Sequence, residues 1–406
     1  MFILSVLFFY SCRVLGDASA PISADGSTST RPSVAAAAAA ADADDAAAST
    51  ACSMSLSWSS ALSEYADFHA RAIASPDFGG EAISIYRVEP RTSFIGLADV
   101  VAGLSNVFLS ALRHRRVFLL DWPGQDVVGS PAGLNTTVRW TPRAPPSRTL
   151  EWAARFGKIE GNADDWPALW GPRVNAADVS IFTHFNRGVF TSEWGAPVGS
   201  DDAAWLNSIL PRGPDGLFSY GCVYRAAFSI SRAVRARAYR AVIPSVAPSE
   251  HAENRPFICS QVRSWLFSAP APESAWAANF ACVENAIERL GGAPDLAVFL
   301  ATDNIAVREA ARAHFGDRLL AQRAVPQHIG YKSDATDAEI LSALKSTVVD
   351  WVLLARCPVI VAAVNTGFAR TAAAMAGAMF FATDYPAESN CSHIRRDAFK
   401  GVGAGW

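Results

Sequence analysis

The sequence predicts an α/β protein built from two Rossmann-like domains with parallel sheets. Three observations predict it. The chain has 406 residues, more than one hydrophobic core usually organises. Half of the residues are apolar and only 18% are charged, which is a globular composition. Short apolar runs also alternate with amphipathic stretches over most of the chain, the pattern of βαβ units on parallel sheets. The formal net charge of -3 leaves no global field to attract nucleic acid, so an anionic ligand has to be held by a local site.

The first segment belongs to neither domain. "MFILSVLFFYSCRVLG" (1–16) is an apolar core of signal-peptide length, shorter than the ~20 residues of a spanning helix. It reads as a signal peptide or a short signal-anchor, and both stay open. Residues 17–52 consist mainly of Ala, Ser, Asp and Pro. They cannot bury enough apolar area to offset chain entropy, so a disordered stem is expected there. Beyond Cys12 six cysteines remain: Cys52, Cys222, Cys259, Cys282, Cys357 and Cys391. An even number permits disulfides without fixing a pairing. The sequons Asn135-Thr136-Thr137 and Asn390-Cys391-Ser392 suit the same secretory route, which ends in the Golgi lumen for an anchored chain or outside the cell for a cleaved one.

The N-terminal domain is expected over 53–248. Leu62, Tyr65, Phe68, Ala72 and Ile73 recur at helical spacing. "AISIYRV" (82–88) alternates like a strand. A Gly-bearing turn, an amphipathic helix and a strand at Val117–Leu120, closed by Asp121-Trp122, then form a βαβ start. Residues 123–178 are rich in Pro, Gly, Trp and Arg without a clear period, and long loops are expected. "VSIFTHF" (179–185) reads as a strand, and helical signal returns at 201–209 and 231–243. "PSVAPSEHAENRP" then reads as an interdomain connection.

The C-terminal domain, 249–406, has the clearer pattern. Strand 257–262 is followed by the helix "SAWAANFACVENAIERL", the strand "LAVFLAT", a helix after Asn304 and the strand "RLLAQ". A long helix around 336–356, the strand "VIVAAV" and the helix "FARTAAAMAG" complete it. In such a doubly wound sheet ligands bind at the carboxyl ends of the strands.

Three places fall at those ends. Arg263 follows the strand ending "SQV", where a guanidinium suits either a diphosphate or an interdomain carboxylate. "FLATDN" places Asp303 and Asn304 at a strand tip that opens a helix. A carboxylate there suits ring N–H, amino or ribose donors, and N-capping would use the same residues. "NTGF" (365–368) is a small-residue turn from strand to helix. Its backbone N–H groups suit a phosphate, and Thr366 suits a helix cap. Asp350 lies within the preceding helix. On the N-terminal side Asp99, Asp121 and His184 lie near expected strand ends and are the candidates for a general base. No CxxC or Cys/His metal spacing occurs, and no isolated DxD occurs in the folded part.

In combination these motifs resemble the inverting GDP-fucose-dependent fucosyltransferases: the α1,6, plant α1,2, rhizobial and protein O-fucosyltransferase superfamily. "QVR" (261–263) corresponds to the family's H-x-R motif, "ATDN" is similar to the "ATDD" strand tip, and Asp350, Thr366 and Arg370 fall into the register of the closing motif. "GLADVVAGLSN…RRVFLLDW" is similar to the first domain of the bacterial members, and "GCVYRAAF" to a plant segment. The resemblance covers about residues 82–385. Gln261 stands where most members have histidine, and Ser264, Trp265, Leu266 and Phe267 replace the charged residues of the α1,6 enzymes.

The resemblance implies a GT-B fold, two Rossmann-like domains facing a central cleft, and a GDP-fucose donor held by Gln261, Arg263, Asp303, Asn304, Asp350, Thr366, Gly367 and Phe368. Arg263 would serve catalysis, no metal would be required, and the acceptor would be a glycan or protein hydroxyl. A GT-B transferase using another nucleotide sugar, and a non-catalytic sugar-binding relative, fit the same residues. A membrane would be met only through an N-terminal anchor.

Overall fold

The computed structural model describes residues 56–87, 96–121, 159–160, 179–183, 199–210, 221–224, 238, 257–263, 273–289, 296–321, 336–363, 366–376, 378–383 and 392–393. The segments 1–16 and 17–52, and the expected helix 231–243 apart from Ala238, lie outside them. Two sheets dominate, one from each half of the chain.

The first sheet has strand order β2-β1-β4-β3 and is parallel throughout. Its strands are β1 (Ile83–Arg87), β2 (Val117–Asp121), β3 (Ile159–Glu160) and β4 (Val179–Thr183). Helix α1 (Leu56–Ala74) precedes the sheet, and α2 (Leu97–Arg113) connects β1 to β2. Strand β3 lies in a stretch expected to form loops only. Two residues at a sheet edge leave no period to read.

The alternation read in β1 also has a different cause from solvent exposure. Ser84 is buried like its neighbours. Its hydroxyl accepts from Arg116 Nε at 2.9 Å, and Arg116 Nη2 donates to Ile83 O (2.8 Å) and Ser180 Oγ (3.1 Å). A buried guanidinium thus joins the starts of β1, β2 and β4, satisfying polar groups that burial would otherwise penalise.

Strand β2 is an edge, and an edge exposes unpaired backbone groups. Side chains of α1 cover it. The Tyr65 hydroxyl donates to Arg116 O (2.7 Å) and accepts from Phe118 N (3.1 Å). His69 Nε2 lies 2.8 Å from Phe118 O. The carbonyl can only accept, so Nε2 carries a proton. Nδ1 is buried without an acceptor, so protonating it would bury an N–H with no partner.

Burial pushes the His69 pKa below its ordinary value, against a smaller upward pull from the Phe118 bond. His114 shifts the same way. Burial is its main cause, Asp202 pulls up, and Arg113 and Arg116 push down. With both folded pKa values depressed, the stabilisation is complete above the unfolded value of ~6.5 and is lost as pH falls through the folded pKa. Thermal melts are therefore expected to drop between pH 7 and pH 5, and His69→Gln should flatten part of that slope. An unchanged slope in the variant would clear His69.

Helix α3 (Asp201–Ile209) is capped by Ser200, whose hydroxyl accepts from Ala203 N (3.2 Å). It is tied to the end of α2 by Arg113 Nε donating to Asp202 Oδ1 at 2.8 Å.

The second sheet has the order β10-β9-β8-β5-β6-β7. It is parallel except for its antiparallel edge strand β10. Strands β5 (Phe257–Val262), β6 (Ala297–Thr302), β7 (Leu319–Leu320), β8 (Val359–Ala362), β9 (Met379–Ala382) and β10 (Ser392–His393) alternate with α4 (Ser274–Arg289), α5 (Ile305–Phe315), α6 (Asp337–Leu354) and α7 (Gly367–Ala376). The expected strand "RLLAQ" is shorter than read, because Gly316–Arg318 forms a 3-10 turn. Thr336 and Glu339 close a capping box at the start of α6.

Both faces of this sheet are covered. Ile258, Val262, Val298, Leu300, Val359 and Val361 pack with residues of α4 and α5. Cys259, Phe299, Ala301, Ile360 and Ala362 belong to the opposite core with α6 and α7. That second core runs on without a break into β1, β2, α1 and α2, so one apolar mass joins the sheets of the two chain halves. Full burial of each such aliphatic side chain stabilises by about 1.5–3 kcal/mol.

Candidate functional site

The site forms where β5, β6 and β8 end. Gln261 lies on the α7 face of β5, and its backbone carbonyl accepts from Ala363 N at 2.8 Å just past β8. Thr366 stands at the N-cap of α7. Its Oγ1 accepts from Ala369 N (3.3 Å), and its carbonyl accepts from Arg370 N (3.1 Å). The same hydroxyl donates to Gln261 Oε1 at 3.0 Å. Gln261 is 5% exposed and Thr366 3%, so this pair is part of the interior. With Ala369 N–H taken by the cap, the N–H groups of Gly367 and Phe368 remain as the first-turn donors that a helix cannot satisfy internally. Both residues are half-buried and reach solvent.

Gly367 also sets how the two halves meet. A Cβ built on it would lie 3.3 Å from Ala98 Cβ in the first turn of α2. The N-terminal turns of α2 and α7 therefore lie side by side. Each helix start carries a partial positive charge, so together they favour an anion. Further along α7, a Cβ on Gly221 would overlap the carbonyl oxygen of Ala374, so only glycine permits that backbone approach.

The first turn of α7 is held from behind. Trp351 Nε1 donates to Thr371 Oγ1 (2.9 Å), and the Thr371 hydroxyl donates to Gly367 O (2.9 Å). Arg370, 6% exposed on the same helix, is pushed by burial down to about 10. It stays charged at neutral pH and adds a fixed cation beneath the anion-favouring turn.

Arg263 immediately follows β5, half-buried with its Nε shielded from solvent. Asp303 is half-buried at the tip of β6, with Oδ2 shielded. Asn304 is the N-cap of α5, its side chain accepting from Ala306 N at 2.8 Å, while its own N–H donates to Thr302 Oγ1 at 3.2 Å. Asp350 is half-buried on α6, and its charge raises the pKa of Arg308 on α5, which burial lowers by more. The structure thus brings Gln261, Thr366, Gly367 and Phe368 together. It gives Asn304 a capping bond and Asp350 an electrostatic partner, Arg308 of α5.

Of the N-terminal candidates, Asp99 falls in the first turn of α2, one residue past Ala98, and Asp121 is the last residue of β2. His184 lies outside the described residues. Among the described residues no group of three or more His, Cys, Asp or Glu gathers as a metal cluster. No helix among them is long and apolar enough to cross a membrane.

Two features of the surroundings could not be placed from the sequence. One is the Trp351–Thr371 bond. The other is the pairing of Cys259 on β5 with Cys357 before β8 in a disulfide, with Cα atoms 5.8 Å apart. Cys222 and Cys282 are disulfide-bonded as well.

Two mixed α/β halves, each with parallel strands flanked by helices and with helix N-termini converging between them, define a GT-B-type fold. No family model and no curated protein matches the chain, whereas solved structures do. A mutant of Arabidopsis thaliana FUT1 in complex with GDP matches with a TM-score of 0.57 at 16% identity, over 82% of this chain and 80% of that one. The fucosyltransferase NodZ from Bradyrhizobium matches at 0.43 and 17%, over 76% and 97%. POFUT1 in complex with GDP matches at 0.34 and 12%, over 73% and 94%. The chain shares its fold with the first of these.

Proposed function

We propose that the chain is a glycosyltransferase that moves fucose from GDP-fucose to a glycan or protein hydroxyl, with inversion and without a metal. One observation carries this reading. The start of α7, capped by Thr366 and braced by Gln261, lies against the start of α2 at the sheet edge where Arg263 leaves β5. A nucleotide diphosphate is the ligand chemistry that such donors recognise. The GDP bound in the FUT1 structure of the same fold supports guanine as its base, with Asp303 the carboxylate offered to it.

In the reaction the acceptor oxygen forms a bond to the anomeric carbon as the bond from that carbon to the β-phosphate oxygen breaks. The electron pair leaves on GDP, and the hydroxyl proton passes to a base, for which Asp99, Asp121 and His184 are the candidates. Charge grows on the departing diphosphate, so Arg263 and the N–H groups of Gly367 and Phe368 stabilise the transition state more than the ground state. This is the work a divalent cation does elsewhere. The disulfide Cys259–Cys357 and the bonded Cys222 and Cys282 support an oxidising compartment, the secretory route to the Golgi lumen or beyond.

The test is binding of GDP, UDP and ADP by calorimetry, followed by GDP-fucose turnover with and without chelator. GDP preference and chelator-resistant transfer are expected. UDP preference would replace the donor, chelator-sensitive transfer would replace the metal-free mechanism, and binding without turnover would leave a non-catalytic relative.

A further inference from the structure

We propose that the last rung of the first sheet is the acceptor subsite, and that the acceptor it takes is a neutral oligosaccharide rather than a protein hydroxyl. The inference rests on the transfer reading above and deepens it by choosing between the two acceptor classes.

The register places Asp121 of β2, Arg87 of β1, Thr183 of β4 and Glu160 of β3 on one rung across the whole sheet. The rung before it holds Leu120, Tyr86, Phe182 and Ile159, and the first three of these are buried. The change from large apolar residues to charged and hydroxyl residues thus falls at one level of all four strands. Residues on one rung share a face of the sheet. Neighbouring strands lie about 4.8 Å apart, so three intervals make a row of about 14 Å, longer than a single sugar ring.

Helix α2 fixes where this row lies. Its last residue, Arg113, stands shortly before the start of β2, so its first turn stands at the end of the sheet where β1 finishes. That turn meets α7, since a Cβ on Gly367 would lie 3.3 Å from Ala98 Cβ. The row therefore closes the first sheet on the side that meets the donor edge.

A carboxylate only accepts hydrogen bonds, a guanidinium only donates them, and a threonine hydroxyl does both. A sugar carries several hydroxyls, each able to donate to one group and accept from the next, so it matches this alternation along its length. A peptide offers one reacting hydroxyl and backbone carbonyls that only accept, which the two carboxylates oppose. Two carboxylates against one guanidinium give the row a formal charge of -1, so a glycan bearing its own carboxylate is repelled.

The test uses the whole chain, GDP-fucose and three tagged acceptor pools: neutral oligosaccharides, the same oligosaccharides oxidised to carry uronic acids, and peptides containing serine and threonine. Transfer to the neutral pool is expected, at about tenfold or more the rate with the acidic pool. Arg87→Met should raise KM for the best neutral oligosaccharide by about 10–30-fold and leave the GDP dissociation constant within about twofold of the parent. Arg87→Lys should recover part of that loss. Glu160→Gln should narrow the preference for neutral over acidic acceptors by about 3–10-fold, a charge effect that altered stability alone does not produce. If Arg87→Met does not fold, Arg87→Lys and Glu160→Gln carry the comparison.

Transfer to the peptides alone, or a parent that prefers the acidic pool, would overturn the assignment. An Arg87→Met variant that melts lower but keeps its acceptor KM would make the rung a structural feature and overturn it as well. Calorimetry with GDP separates this from the donor reading. A parent that binds no GDP fails the donor reading, whereas one that binds GDP and transfers to none of the three pools fails the acceptor proposal.

Discussion

Arg263→Ala is expected to weaken GDP binding by on the order of 100-fold and to reduce transfer by on the order of 1000-fold. Its melting temperature should fall by no more than a few °C, since the side chain lies beyond the strand ladder and outside both apolar cores. The asymmetry follows from the position of the side chain. Arg263 comes after the last residue of β5, so the ladder to β6 and β8 is complete before it. A charge-assisted, bidentate contact to a diphosphate is worth about 1.5–3 kcal/mol per hydrogen bond, and it strengthens as the leaving group gains charge. Arg263→Lys keeps the charge and loses the planar fork. It should recover about tenfold of the binding loss and little of the transfer. Calorimetry with GDP and single-turnover transfer measure the two terms separately. A dissociation constant within threefold of the parent in Arg263→Ala would remove Arg263 from the donor site.

Much of this arrangement is legible in the sequence because the second sheet is covered on both faces. Its strands therefore read as largely apolar runs, "FIC", "AVFLA" and "VIVA", broken by polar residues toward each strand tip. The break is also where the site residues sit, so the same signal that locates the strands locates Arg263, Asp303 and Thr366. What the sequence hides is how distant pieces meet. Gln261 and Thr366 are each recognisable as strand-end residues, but their mutual bond depends on β5 and β8 being neighbours. Ser84 reads as an outward-facing residue because the buried Arg116 that satisfies it comes 32 positions later. Gly221 has no local signature either, since its reason is the carbonyl of Ala374 in a helix 153 positions away in the chain (374 minus 221). Alternation, capping and turn chemistry are local. Close approach and polar pairing across the core are not.

The cysteines belong to that second group, and their pairing has a large expected consequence. Cys259 and Cys357 close a loop with a sequence separation of 98. Constraining an unfolded loop of ~100 residues is worth about 4.7 kcal/mol in the chain-entropy account. Cys282 lies inside that loop and is itself bonded, and the chain's other cysteines all lie outside the loop, so its cross-link leaves most of the loop length in place and the expectation stays at roughly 4–5 kcal/mol. The double variant Cys259→Ala/Cys357→Ala should therefore melt roughly 5–12 °C lower than the parent. Its effect on the site should be much smaller. β5 and β8 remain paired through backbone bonds in the register Cys259 to Ile360 and Gln261 to Ala362, and Gln261 still reaches Thr366. GDP affinity at 20 °C should stay within about threefold of the parent. Thermal unfolding and calorimetry on the same preparation compare the two effects directly. A variant that melts within a degree of the parent would show that the bridge contributes little to stability, whereas a variant of lowered stability that has also lost GDP would show that strand pairing alone does not hold the donor edge in register.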